Sequence, residues 1–195
     1  LKSGESFDTP LDMPLLTHWL NEQEHDNVMN MAQSLGIRNA KGDKVKLIFV
    51  PCYLTGDDGV LNMSYYDLVL GNDLCVYPSY YEPWGYTPLE AVAFKVPCIT
   101  TDLAGFGLWA NIEKGAYSEI EDGVKVLHRT DYNYSEVADG IKDTVVRYSN
   151  FNNSIVNKCR RNAEKLSHKA LWSEFIRYYE QAYDIALRKA AVRND

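Results

Sequence analysis

The chain has little of what a membrane span, a metal centre or a nucleic-acid surface requires. No apolar run in its 195 residues approaches the ~18 needed to cross a bilayer. Its opening, Leu1-Lys2-Ser3-Gly4-Glu5-Ser6, lacks the charged start and apolar core of a signal peptide. No membrane partner and a cytoplasmic location are therefore expected. Basic residues are in the minority: 20 Lys and Arg against 27 Asp and Glu give a net charge of −7, which argues against a phosphate-backbone surface and so against nucleic acid. Cysteines are few, and Cys52, Cys75, Cys98 and Cys159 show no C-x-x-C or Cys/His ligand spacing; they read as buried free thiols in a reducing compartment. His18, His25, His128 and His168 are too scattered to make a metal site, so no metal is expected.

What is present suits a single domain: 195 residues, 46% of them hydrophobic, can bury a sizeable core. The chain begins at Leu1 where an intact reading frame has methionine, and a linker-like stretch fills 1–14. This start is expected of a segment cut from something larger. A partial Rossmann-like domain over 15–134 should follow, with helices over 135–195 packing on it.

Periodicity supplies the elements. Asn21-Glu22-Gln23-Glu24 fits a capping box, and Val28, Met31, Ala32 and Leu35 follow at helical spacing before Gly36. Strands are predicted at Val45-Lys46-Leu47-Ile48-Phe49-Val50, Leu74-Cys75-Val76-Tyr77, Val96-Pro97-Cys98-Ile99-Thr100 and Val124-Lys125-Val126-Leu127. Helices over 64–70, 88–94 and just past Gly107 alternate with them. The alternation predicts an α/β fold: a mainly parallel sheet with helices on both faces. Helices over 135–148, 154–166 and 169–190 form a helical C-terminal tail, the last with Trp172, Phe175, Ile176, Tyr179, Ala182, Tyr183 and Leu187 on one stripe. Ligands of such sheets sit at the carboxyl ends of the strands, which directs attention to the loops after Val50, Tyr77 and Thr100.

The loop after Tyr77 gathers Tyr80, Tyr81, Glu82, Trp84, Gly85 and Tyr86. Aromatic rings beside a carboxylate suit a sugar, whose C–H faces the rings cover while Glu accepts hydroxyl hydrogen bonds. Gly85 lets a ligand approach the backbone closely. Thr87-Pro88-Leu89-Glu90 reads as a helix start with Thr87 as N-cap and Pro88 in the first helical position, whose free N–H groups make an anion site for a diphosphate. A nucleotide sugar carries both groups. Two bland explanations stand beside this one: Glu90 bonding back to the Thr87 backbone, and tyrosines filling a core.

The run Pro78-Ser79-Tyr80-Tyr81-Glu82-Pro83-Trp84-Gly85-Tyr86-Thr87-Pro88-Leu89-Glu90 resembles the signature of eukaryotic-type glycogen synthases, which carry an E-x7-E pair, here Glu82 and Glu90. Similar stretches flank it: Asp43-Lys44-Val45-Lys46-Leu47-Ile48-Phe49 before, Val96-Pro97-Cys98-Ile99-Thr100-Thr101 and Gly105-Phe106-Gly107 after. The resemblance implies the C-terminal, donor-binding half of a GT-B glycosyltransferase, two Rossmann-like domains facing a cleft. It implies transfer of glucose from UDP-glucose to the 4-hydroxyl of an α-1,4-glucan with anomeric configuration retained, no cofactor, and a glucan acceptor held through an N-terminal domain; assembly into homo-oligomers is compatible with it. Glu82 is the catalytic candidate and would contact the donor glucose. Backbone groups at Trp84, Gly85 and Tyr86 would hold the sugar, Thr87 and the helix start the phosphates, and Glu90 the ribose. Tyr65 matches an aromatic that stacks on uracil, although Ser64-Tyr65-Tyr66-Asp67 is also an S-x-x-D helix start that leaves Tyr65 on the surface.

Two departures narrow the transfer. The family's phosphate-binding basic residues lie upstream of anything present, so the chain alone is expected to bind donor weakly and to be inactive. The stretch Asn152 to Arg161 has one Lys and two Arg where some relatives carry an arginine-dense, sugar-phosphate-sensing helix, so Arg160 and Arg161 read as a solvated face. The alternatives are a non-catalytic sugar- or nucleotide-binding module and a dinucleotide-dependent oxidoreductase. The second is suggested by Gly105-Phe106-Gly107-Leu108-Trp109-Ala110, a G-x-G-x-x-A pattern, but the next strand ends in His128 and Arg129 where that fold wants an acid.

Overall fold

A computed structural model describes residues 15–59 and 61–193. The linker-like start expected over 1–14 lies outside the described residues. The chain divides into two compact units, Leu1–Tyr65 and Tyr66–Asp195.

In the first unit the predicted capping box makes only a 3-10 turn, Gln23–His25, and helix α1 is Asn27–Ser34. Its cap is Asp26, whose carboxylate accepts from Met29 N at 2.9 Å, so a residue five places later than Asn21 does the capping. The strand predicted over Val45 to Val50 does not form; Phe49 makes a single parallel bridge with Leu16. Asn39 explains the difference. Its side-chain amide donates to Leu47 O at 2.7 Å and accepts from Leu47 N at 2.9 Å, occupying the backbone groups a second strand would need.

The second unit carries the sheet. Helix α2 (Tyr65–Leu70) opens at the boundary and is followed by β1 (Cys75–Val76), α3 (Tyr86–Ala93), β2 (Cys98–Thr101), α4 (Gly105–Lys114) and β3 (Val124–Leu127). The three strands are parallel and adjacent in the order β1-β2-β3. Every residue of β2 is fully buried, and because alternate side chains face opposite ways, both sides of the sheet are covered at its centre. Helices α3 and α4 pack on β2, α4 and α5 (Tyr134–Ser149) on β3, and α6 (Asn153–His168) on α3. This is the expected α/β, Rossmann-like arrangement, with three strands among the described residues where four were predicted.

Helix α3 ends on Lys95 in the left-handed region (φ 62°), with Lys95 N donating to Val92 O at 3.0 Å and Val96 N to Ala91 O at 2.9 Å. That pattern closes a helix and is commonest with glycine; here a lysine takes the left-handed position. The Lys95 ammonium pairs with Glu164 on α6 at 2.8 Å and holds that carboxyl below its ordinary range. Helix α7 (Trp172–Arg193) starts three residues later than predicted and has no fully buried residue. Of its apolar stripe, Phe175 and Ile176 are half-buried while Trp172, Tyr179, Tyr183 and Leu187 are exposed.

Candidate functional site

The loop between β1 and α3 lies at the carboxyl end of the sheet, and the helix it feeds starts two residues earlier than the sequence suggests. Gly85, not Thr87, is the N-cap of α3, at φ 105° and ψ 81°, a conformation that glycine adopts without steric cost. Tyr86 and Thr87 are then the first two helical residues, and Pro88 takes the third place, where its missing N–H costs nothing. The amides of Gly85, Tyr86 and Thr87 precede the first intrahelical bond, and among the described residues they make no other. Thr87 and Tyr86 are exposed. The result is a cluster of N–H groups at the positive end of a helix.

Moving the cap also changes the reading of Glu90. It now stands five residues past the cap, out of reach of a capping box, and its Oε1 accepts instead from the Tyr66 hydroxyl at 3.2 Å. The Tyr66 ring is steadied by Phe94, with centroids 5.6 Å apart. Glu90 is therefore a half-buried carboxylate on the first turns of α3 with one oxygen engaged. Tyr66 was missed by sequence reasoning, which weighed only its neighbour Tyr65.

Glu82 is fixed through its backbone. Glu82 N donates to Leu103 O at 3.2 Å, Gly105 N to Glu82 O at 3.1 Å, and Phe106 N to Trp84 O at 2.6 Å, so the loop is clipped to the start of α4 like a short parallel strand. Its side chain is exposed and its carboxylate makes no hydrogen bond among the described residues. The Trp84 ring turns inward. Its centroid lies 6.0 Å from Phe106, 5.8 Å from Trp109 and 5.5 Å from Phe175 of α7, an aromatic cluster in which each pair contributes about 0.5–1.5 kcal/mol beyond burial. Trp84 thus anchors the loop with its ring and leaves only its backbone toward the site, whereas Tyr81 and Tyr86 are exposed.

The same bonds dispose of the dinucleotide pattern. The first two amides of α4, Gly105 N and Phe106 N, are already taken by the loop carbonyls and are not available to an anion. Its glycines serve packing: a Cβ on Gly105 would fall 2.3 Å from Pro83 O, and one on Gly107 2.1 Å from Thr101 O.

Other predicted residues fall elsewhere. Tyr65 belongs to the first unit, is half-buried, and donates its amide to Leu54 O at 3.1 Å. Arg160 is not a solvated cation; it pairs with Asp73 at 3.0 Å, while Arg161 is exposed. Cys75, Cys98 and Cys159 are buried free thiols and Cys52 is half-buried. Among the described residues no group of three or more His, Cys, Asp or Glu could hold a metal ion.

The family model described as glycogen synthase matches residues 9–194. The chain is 32% identical over 184 residues to the glycogen (starch) synthase of Neurospora crassa, covering 91% of this chain and 25% of that protein. It is 32% identical over 187 residues to glycogen (starch) synthase isoform 1 of Saccharomyces cerevisiae, and 29% over 177 residues to the liver glycogen (starch) synthase of Mus musculus, each with 91% of this chain and 25% of the relative covered. The chain spans about a quarter of the length of these curated relatives. With a family match over nearly its whole length and a loop of this architecture, the chain belongs to the glycogen synthase family.

Proposed function

We propose that this chain is the donor-binding part of a retaining glucosyltransferase, which moves glucose from UDP-glucose to the 4-hydroxyl of an α-1,4-glucan. The observation that supports it most is the set of amides at Gly85, Tyr86 and Thr87 that make no hydrogen bond among the described residues, beside two carboxylates, while Gly105 N and Phe106 N of the neighbouring α4 are spent. The amides and the helix dipole would take the diphosphate. Glu90, held by Tyr66, would take ribose hydroxyls, and Glu82 would take hydroxyls of the donor glucose. Tyr65 enters by family resemblance alone, as the ring that stacks on uracil.

In the transfer, the bond from glucose C1 to the diphosphate oxygen breaks and a bond from C1 to the acceptor oxygen forms on the same face. The acceptor proton passes to the departing diphosphate. Hydrogen-bond donors aimed at the developing phosphate charge would lower the barrier, and such preorganised donors are worth about 3–4 kcal/mol each in enzymes where one has been removed. Glu82 and Glu90 position the donor and form no covalent intermediate in this scheme.

Calorimetric titration tests the reading. UDP should bind the chain, and Glu90→Gln should weaken it about tenfold or more by removing charge-assisted hydrogen bonds, with the melting temperature unchanged. Equal affinity in the variant would remove Glu90 from the site. Absence of UDP binding by the wild type would sink the assignment as a whole.

A further inference from the structure

The loop carrying Glu82 is held at a second place, by side chains from the ends of β2 and β3. Beyond the end of β1, the carbonyls of Pro78 and Ser79 have no strand partner among the described residues and are each met by a side chain from further along the sheet. Thr101 Oγ1 donates to Ser79 O at 2.6 Å, and Arg129 Nη1 donates to Pro78 O at 2.8 Å. Arg129 lies just past β3, 51 residues from Pro78, so its side chain reaches over the end of β2. Its guanidinium also lies over the Tyr80 ring, 5.1 Å from the centroid, and the Tyr80 hydroxyl donates to Asp131.

Arg129 is itself gripped. Asp102, at the end of β2, accepts from Arg129 N through Oδ1 at 2.9 Å. Its other oxygen lies 2.6 Å from His128 Nδ1, which must carry the proton there because a carboxylate only accepts. A planar guanidinium that bonds one carbonyl in its plane and covers a ring with its face fixes two consecutive features of the loop at once. Lysine could supply the bond but not the flat face.

We propose that Arg129 is a positioning residue: held by Asp102, it clasps the 78–80 limb to the end of β3 and thereby sets where the Glu82 carboxylate stands toward the donor glucose. The proposal rests on the reading of Glu82 given above. It explains why the loop is fastened on both sides of Tyr81, by Arg129 and Thr101 before it and by α4 after it, leaving Tyr81 itself exposed.

The test combines amide exchange of the ligand-free 195-residue chain with titration by UDP and by UDP-glucose, on the wild type, Arg129→Ala and Arg129→Lys. Losing one charge-assisted hydrogen bond corresponds to about tenfold. Arg129→Ala should speed exchange at Ser79 and Glu82 and weaken UDP-glucose about tenfold, leaving exchange in β3 and UDP affinity within about twofold of wild type. Arg129→Lys should recover part of both losses, which keeps the test open if the alanine variant folds poorly. Unchanged loop exchange would overturn the clasp. A loosened loop with unchanged UDP-glucose affinity, or an equal loss of UDP and UDP-glucose together with faster β3 exchange, would overturn the positioning role. If the wild type binds neither nucleotide, the donor-site reading falls and the positioning role with it, and loop exchange still decides whether Arg129 holds the loop.

Discussion

Alanine at Gly105 should displace the donor loop without touching any residue that would contact the donor. A Cβ there would stand 2.3 Å from Pro83 O, where real Cβ atoms essentially never come within 3.0 Å, and 3.2 Å from both Pro83 C and Trp84 Cα. The loop or α4 must therefore yield by at least about 0.7 Å, the difference between those first two distances. The obstruction is backbone and cannot be relieved by turning a side chain. Overpacking of this kind costs about 1–3 kcal/mol, and the shift strains the bonds from Gly105 N to Glu82 O and from Phe106 N to Trp84 O. A shift of this size breaks hydrogen bonds from Glu82 to the donor glucose, and losing one charge-assisted bond corresponds to about tenfold in affinity, so a loss of about tenfold in UDP-glucose binding is expected. Urea unfolding and calorimetry read the two effects. Gly42→Ala is the control, since a Cβ there meets nothing within 4 Å, and it should change stability by less than about 0.5 kcal/mol. A Gly105→Ala chain with the stability and donor affinity of that control would refute the argument that α4 sets the loop.

Two further outcomes follow from the same packing. Trp84→Ala should lower stability by about 3 kcal/mol in thermal melts, and Trp84→Phe by much less, because the ring serves the cluster with Phe106, Trp109 and Phe175; equal UDP-glucose weakening with full stability in both would make the ring a sugar contact instead. Burial pushes the Cys98 thiol far above its ordinary value of 9.0 and also raises that of Cys159, so the folded chain keeps these protons longer than the unfolded chain does. Their contribution to stability is then fully present below about pH 9 and declines as pH rises beyond it; a thiol reagent at neutral pH should modify Cys52 and spare Cys75, Cys98 and Cys159 until the chain unfolds, and rapid native labelling of Cys98 would contradict the buried assignment.

The parts of this fold that are legible in the sequence are those governed by local periodicity. Strand β3 and helices α5 and α6 fall within two residues of their expected bounds, because apolar spacing alone decides them. The failures share a cause, a contact with another part of the chain. Val45 to Val50 has the composition of a strand, but Asn39 supplies the hydrogen bonds to Leu47 that a neighbouring strand would have supplied. Thr87-Pro88 has the local signature of a helix start, yet the left-handed turn at Gly85 lets the helix begin earlier, and proline is tolerated in the third position as readily as in the first. The motif from Pro78 to Glu90 directs attention to this loop but leaves the inward turn of the Trp84 ring and the hold of Tyr66 on Glu90 invisible. Arg129 follows β3 and reaches back 51 residues to Pro78, a contact that no local pattern encodes.

The start of α3 is proposed to receive the donor diphosphate. Titration of the isotopically labelled chain with UDP, followed by amide NMR, tests it residue by residue. The largest shifts are expected at Gly85, Tyr86 and Thr87, whose N–H groups make no hydrogen bond among the described residues, and small shifts at Gly105 and Phe106, whose N–H groups are already bonded. Largest shifts at Gly105 to Gly107, or saturation with no movement of the Gly85 to Thr87 amides, would contradict it.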